Sequence, residues 1–146
     1  MKAHQIYLLL FTILTSIFVP IRAQTLISEQ EAALPAYISK PASRSIIRGP
    51  VVKWVNPKNG ITVSSPFELN VLLQPREGVE IDPSSLKVTY LKSPLIDLMP
   101  RLRTAVTQNG IELKQAIVPT GSHTIRLTIK DVEGRETNSQ ITIQVK

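Results

Sequence analysis

The sequence predicts an all-β fold, an antiparallel β-sandwich, and three observations carry that expectation. From Pro50 onward, apolar residues recur at every second position. This is the period of strands with one buried and one solvated face. Prolines at 50, 57, 66, 75, 83, 94, 100 and 119 interrupt the apolar runs. A proline inside a central strand removes a ladder hydrogen bond, so these positions mark turns or edges. The runs are short and follow one another at the spacing of roughly 8–12 residues expected of a sandwich or barrel.

Each strand has its own evidence. Phe67, Leu69, Val71 and Leu73 alternate with Glu68, Asn70 and Leu72. Leu86, Val88 and Tyr90 alternate with Lys87 and Thr89. Ile125, Leu127 and Ile129 alternate with Thr124, Arg126, Thr128 and Lys130, and Ile141, Ile143 and Val145 with Thr142, Gln144 and Lys146. Residues 51–55, 61–63 and 111–118 are shorter candidates. The inward set, with Trp54, supplies a core at ~1.5–3 kcal/mol per buried side chain before conformational entropy is charged. Residues 93–110 break the pattern. Leu98, Leu102 and Val106 share a helical face with Pro100 placed for a first turn, yet residues 101–106 also alternate. The preferred reading is a crossover carrying a short edge strand.

The N-terminus has a different character. Met1-Lys2-Ala3-His4 is short and basic, Ile6 to Val19 is almost wholly apolar, and Pro20-Ile21-Arg22-Ala23 ends on a small residue. That layout reads as a secretory signal peptide over residues 1–23, with cleavage expected after Ala23 and retention as an uncleaved anchor as the alternative. The apolar run falls short of the ~20 residues of a membrane-spanning helix, so no stable membrane insertion is expected after cleavage. The expected location is periplasmic or secreted. Residues 24–49 read as a flexible basic tail. Ser28 and Glu31 have capping-box spacing, enough for one or two helical turns before Pro35. From Ala32 to Phe67 there is no acid, but there are Lys40, Arg44, Arg48, Lys53 and Lys58. Residues 50–146 form the expected domain.

Composition narrows the function classes. The chain of 146 residues carries a net charge of +6, which falls to +4 once Lys2 and Arg22 leave with the signal. This is short of a nucleic-acid-binding footprint. With no cysteine, disulfides, thiolate metal sites and cysteine nucleophiles are excluded. A secreted domain without disulfides points weakly to a bacterial envelope.

The segments Asn56-Pro57-Lys58-Asn59-Gly60-Ile61-Thr62-Val63, Pro119-Thr120-Gly121-Ser122-His123-Thr124-Ile125-Arg126-Leu127 and Asp131-Val132-Glu133-Gly134-Arg135 resemble the first-strand approach, penultimate strand and last hairpin turn of bacterial immunoglobulin-like domains. Ile141 to Val145 resembles their closing strand. The resemblance covers about two-thirds of the chain and implies an immunoglobulin-like β-sandwich. It implies no particular function, because that scaffold hosts many roles. His123 stands where antibody-type domains carry a tyrosine, two positions before Ile125 rather than a cysteine. The same segments are similar to the copper-resistance sandwiches of the bacterial periplasm. Their histidine and methionine ligands near the mature N-terminus and in the last hairpin are replaced here by Gln24 and Glu133-Gly134-Arg135.

The residues offer little catalytic chemistry. His123 is the only histidine beyond the signal, and one imidazole without cysteine cannot complete a zinc or copper site. Ser122 and His123 face opposite sides of a strand, so they cannot form a nucleophile–base pair. His123 is expected to bond a backbone carbonyl. The acids of residues 131–136 suit calcium by type but read as a hairpin turn with Gly134 at positive φ. Nothing in their spacing pairs Glu77, Glu80, Asp82, Asp97 or Asp131 for hydrolysis. The expected function is a non-catalytic binding or structural module of the envelope, with no cofactor. A copper-handling protein and a small hydrolase are the alternatives. The expected partner is a protein or an anionic envelope component. Its candidate contacts are the apolar loop Leu95, Ile96, Leu98, Met99 and Leu102, which reads also as a cap on the open end of the sandwich core, and the basic residues Lys40, Arg44 and Arg48.

Overall fold

A computed structural model describes residues 22–38 and 48–146 of the chain. The expected signal peptide lies almost wholly outside the described residues, as do Lys40 and Arg44. Ten strands form: β1 (Gln24–Thr25), β2 (Val51–Asn56), β3 (Thr62–Val63), β4 (Phe67–Gln74), β5 (Ile81–Tyr90), β6 (Ile96–Asp97), β7 (Val106–Thr107), β8 (Gly110–Ile117), β9 (Gly121–Asp131) and β10 (Glu136–Val145). Two single-turn helices join them, α1 (Glu29–Ala32) and α2 (Met99–Leu102), and α2 runs into a 3-10 turn at Arg103–Ala105.

The strands assemble into two sheets. One has the order β1-β8-β4-β2, with β7 also pairing β8, and the other the order β3-β10-β9-β5-β6. Both are mixed. The long neighbours are antiparallel, but β1 runs parallel to β8 and β3 parallel to β10. Alternation reports which face a residue takes and is blind to strand direction, so these two-residue pairings correct a wholly antiparallel expectation. Inward residues of both sheets meet in one hydrophobic cluster, including Leu69 and Val71 from β4, Val88 from β5, Ile111 from β8, Leu127 from β9 and Ile143 from β10. Two side-chain bonds tie β2 and the residue before it to β10 across the layers: Thr137 Oγ1 donates to Pro50 O at 2.7 Å, and Trp54 Nε1 to Ser139 Oγ at 2.9 Å.

Local chemistry explains the joints. Asp131 organises the β9–β10 turn. It is 3% exposed, and its carboxylate accepts from Glu133 N, Arg135 N and Arg135 Nε at 3.0, 2.9 and 2.6 Å. Gly110 opens β8 with φ +143°, where an added Cβ would stand 1.9 Å from Val71 O. No other residue lets β8 approach β4 this closely. Pro83 lies inside β5, where the pairing with β9 breaks between Asp82 and Lys87. The break replaces the ladder bond that a proline cannot give.

The expected flexible tail over 24–49 is corrected by the structure for residues 24–38, while residues 39–47 lie outside the described residues. Residues 24–38 belong to the domain: Leu26 and Ile27 are 0% and 1% exposed, and Gln24 and Thr25 pair with Ala116 and Ile117. The capping box forms, with Glu31 N donating to Ser28 Oγ and Ser28 N to Glu31 Oε2. Beyond it, Tyr37 N donates to Leu91 O and Ser93 N to Pro35 O. The segment therefore crosses from the edge of one sheet to the end of the other as a strap. Two consecutive apolar residues carry no period, so composition alone made this stretch resemble a linker.

Residues 93–110 combine both sequence readings. β6 is a short edge strand on β5, and Pro100 sits in the first turn of α2. Among the described residues no helix is long and apolar enough to cross a membrane.

If the strap and α2 are core elements, their leucines should count as heavily as those of the long strands. Leu26→Ala and Leu98→Ala should each cost ~2–5 kcal/mol, like Leu127→Ala, whereas Thr128→Ala should stay within about 1 kcal/mol. Urea unfolding of the four variants measures this, and a cost below that of Thr128→Ala for Leu26→Ala would remove the strap from the core.

Candidate functional site

The strand ends opposite the strap diverge around a cleft. β4 contributes Leu73 and β7 contributes Val106 on one wall, while β5 contributes Ile81 and Leu86 and β9 contributes Ile129 on the other. Pro75, Glu80 and Pro83 rim one side, and Thr107, Gln108 and Asn109 the other. The cavity volume is ≈ 540 Å³, within the range of about 300–1,000 Å³ of small-molecule pockets. A second depression, over Leu72, Gln74 and the shared Leu73, Pro75 and Asn109, adjoins it on the outer side of β4.

Both walls are held by local bonds. On the β5 side, Asp82 Oδ1 accepts from Ser84 N and Ser84 Oγ at 3.0 and 2.6 Å. Ser85 Oγ then fills the gap in the ladder, donating to Asp82 O at 2.7 Å and accepting from Lys130 N at 2.8 Å. On the β7–β8 side, Asn109 O accepts from Leu73 N at 2.8 Å, and Thr107 Oγ1 accepts from Asn109 N at 3.3 Å. The cleft is thus fixed by a bulge and a hairpin turn rather than by a mobile loop.

Charge is uneven around it. Arg135 is shared among Asp131 at 2.6 Å, Glu133 at 3.5 Å and Glu77 at 3.8 Å. Burial opposes ionisation of Asp131, but the Arg135 backbone N–H and guanidinium and the Glu133 N–H hold its carboxyl below the usual range. The Glu80 main chain is tied to the turn through its carbonyl, which accepts from Val132 N at 3.0 Å.

The residues singled out from the sequence fall elsewhere. Leu98 and Leu102 are both 0% exposed, so they cap the core and present no surface to a partner. Ile96 and Met99 are half-buried against the same cluster, and Leu95 alone is exposed, at 47%. Of the two readings of this stretch, the cap on the core is the one Leu98 and Leu102 fulfil, and the partner-contact reading is corrected for those two residues. A proline-rich apolar stretch reads alike in either role, since hydrophobicity does not say which way it faces. Arg48 is exposed beside Gly49 and the β9–β10 turn. The cleft walls were missed because they come from four distant strands. The one local signal was Asp82-Pro83-Ser84-Ser85, whose proline and hydroxyls mark a bulge.

At the strap end, His123 is 2% exposed. Nε2 lies 2.8 Å from Pro119 O and Nδ1 lies 2.9 Å from Tyr90 Oη. A carbonyl only accepts, so Nε2 carries the proton, and Tyr90 donates to Nδ1. The carbonyl bond expected from sequence is present, and Tyr90 occupies the other nitrogen. Burial, reinforced by Lys92, depresses the imidazole's proton affinity against the opposing pull of the Pro119 carbonyl. Burial and then Glu31 push the Tyr90 phenol up to about 12. Arg101 meets Glu31 in a two-point pair at 2.5 and 2.8 Å. That hydrogen bond brings the Glu31 carboxyl down to about 2 despite its burial.

Among the described residues, no three side chains of His, Cys, Asp or Glu group as a metal ion requires. No family model, curated protein or solved structure matches the chain.

The histidine gives a signed pH dependence. Its folded pKa lies below the ordinary value of 6.5, so its contribution is complete above that pH. It is lost as pH falls and the unfolded chain takes a proton the fold refuses. Glu31 adds a second loss between 4.5 and about 2. The unfolding midpoint should drop between about pH 7.5 and 5.5 in the parent chain, with a markedly smaller drop in His123→Gln. Equal slopes would contradict the buried neutral histidine.

Proposed function

We propose that this chain is a non-catalytic binding module of the bacterial cell envelope, exported by its N-terminal signal, with an immunoglobulin-like sandwich as scaffold. The observation that carries the reading is the cleft between the sheet ends. It is concave, mostly apolar, fixed by its own hydrogen bonds and fringed by a few polar groups, the usual composition of a ligand site.

Two further features support the reading. The histidine and the two buried or half-buried acids are engaged elsewhere: both His123 nitrogens are bonded, Asp131 holds a turn, and Glu31 is paired with Arg101. A nucleophile or acid–base pair needs such groups convergent and accessible. The exposed cations Arg48, Lys53 and Lys58 give the module a general attraction to anionic envelope surfaces, while the cleft supplies selectivity.

The test uses Prodan, an uncharged naphthalene dye whose fluorescence reports an apolar environment. A saturable one-to-one rise is expected with the parent chain. Val106→Trp and Leu73→Phe, which fill the cleft from its half-buried wall, should abolish the rise while keeping cooperative unfolding. Absence of saturable binding, or binding unaltered in both folded variants, would contradict the assignment.

A further inference from the structure

We infer that the cleft takes a small organic cation, a primary ammonium group carried on an apolar body. The inference rests on the reading of the cleft as a binding site and names its ligand class.

The cavity comes first. Its floor is apolar, with Leu86 and Ile129 only 6% and 0% exposed, so a ligand must present hydrocarbon to it. Its volume of ≈ 540 Å³ sits in the lower half of the small-molecule range of about 300–1,000 Å³, which suits a compact ligand rather than a folded partner.

Charge decides the head group. The carboxylates at this end of the molecule are mostly spoken for. Asp131, Glu133 and Glu77 share Arg135, Glu136 pairs with Lys130 at 3.5 Å, and Asp82 binds Ser84. Glu80, which lines the cavity itself, makes no ion pair among the described residues. Glu136 and Lys130 cancel, and Asp131, Glu133, Glu77, Glu80 and Asp82 outnumber Arg135, Arg76 and Lys87, so the surroundings are negative although the chain as a whole carries +6. An anionic ligand would be repelled by Glu80 and its neighbours. An uncharged apolar ligand would bind the floor but gain nothing from Glu80, whose exposed carboxylate stays in water. An ammonium group adds an ion pair with Glu80, and Gln108 and Asn109, which also line the cavity, offer amide oxygens as further acceptors.

The experiment compares three probes of one shape: 2-phenylethylammonium, 2-phenylethanol and phenylacetate. Each is titrated into the full mature chain while methyl resonances of Leu73, Ile81, Val106 and Ile129 are followed. The cation should bind at least about tenfold more tightly than the anion, with the alcohol between them. Glu80→Gln, at an exposed position, should leave the unfolding midpoint unchanged and erase the advantage of the cation over the alcohol. Anion binding equal to or tighter than cation binding overturns the inference, as does a preference that survives Glu80→Gln. The Prodan titration separates the two levels. If Prodan binds and the probes do not differ, the charge inference alone fails. If neither Prodan nor any probe binds, the reading of the cleft as a site fails with it.

Discussion

A two-layer β core must be sealed where its strands end, and this chain has no cysteine with which to staple it. Apolar side chains that emerge from the last ladder pair stay wet unless something covers them. At one end the cover is the strap of residues 24–38, joined by α2. Leu26, Ile27, Leu98 and Leu102 are all at most 1% exposed, and each excludes water that would otherwise reach the ends of β5, β8 and β9. The remaining architecture follows from this closure, because a sealed end lets the sheets pack with their inner faces in register.

The strap is held by polar bonds to groups that would be costly to bury alone. Arg101 spans it, donating to Leu26 O at 2.7 Å and to the Glu31 carboxylate, while Gln24 Nε2 donates to Arg101 O. Lys92 Nζ donates to Ala32 O and Leu34 O at 2.7 and 2.8 Å, 5.5 Å above the Tyr90 ring. These cations satisfy the carbonyls that a one-turn helix leaves open. Beneath them lies the Tyr90–His123 bond, a polar pair retained inside the core because each member completes the other's hydrogen bonding. The half-buried Arg101–Glu31 pair anchors the segment's path more than it adds net stability, since ion-pair attraction is offset by desolvation.

What could be read from the sequence follows the same physics. The long strands were readable because a half-buried strand imposes period two on its residues: β4, β9 and β10 lie where the alternation places them. The capping box at Ser28 and Glu31 was readable because it is purely local. The strap was not, since Leu26 and Ile27 are placed by backbone bonds to Ile117 O, some ninety positions away, which continue the pairing of Gln24 and Thr25 with Ala116 and Ile117. The same limit applies to Leu98 and Leu102, whose apolar character suits a docking surface or a lid equally well. The cleft was the least readable feature. Its walls are assembled by topology, and Glu80 looks like any loop acid until β9 and the β7–β8 turn are placed around it.

The opposite ends of the sandwich thus differ in kind: one is plugged by the chain's own N-terminal segment, the other left open between a bulge and a hairpin turn. Native-state hydrogen exchange tests this division most directly. The strap amides of Leu26 and Tyr37, bonded to Ile117 O and Leu91 O, should exchange only through global unfolding, within about tenfold of the protection of Leu127. The amide of Val79, in the turn beside the cleft, should exchange far faster. Strap amides that exchange as freely as Val79 would show the N-terminal segment to be an appendage, and the core would then need another seal.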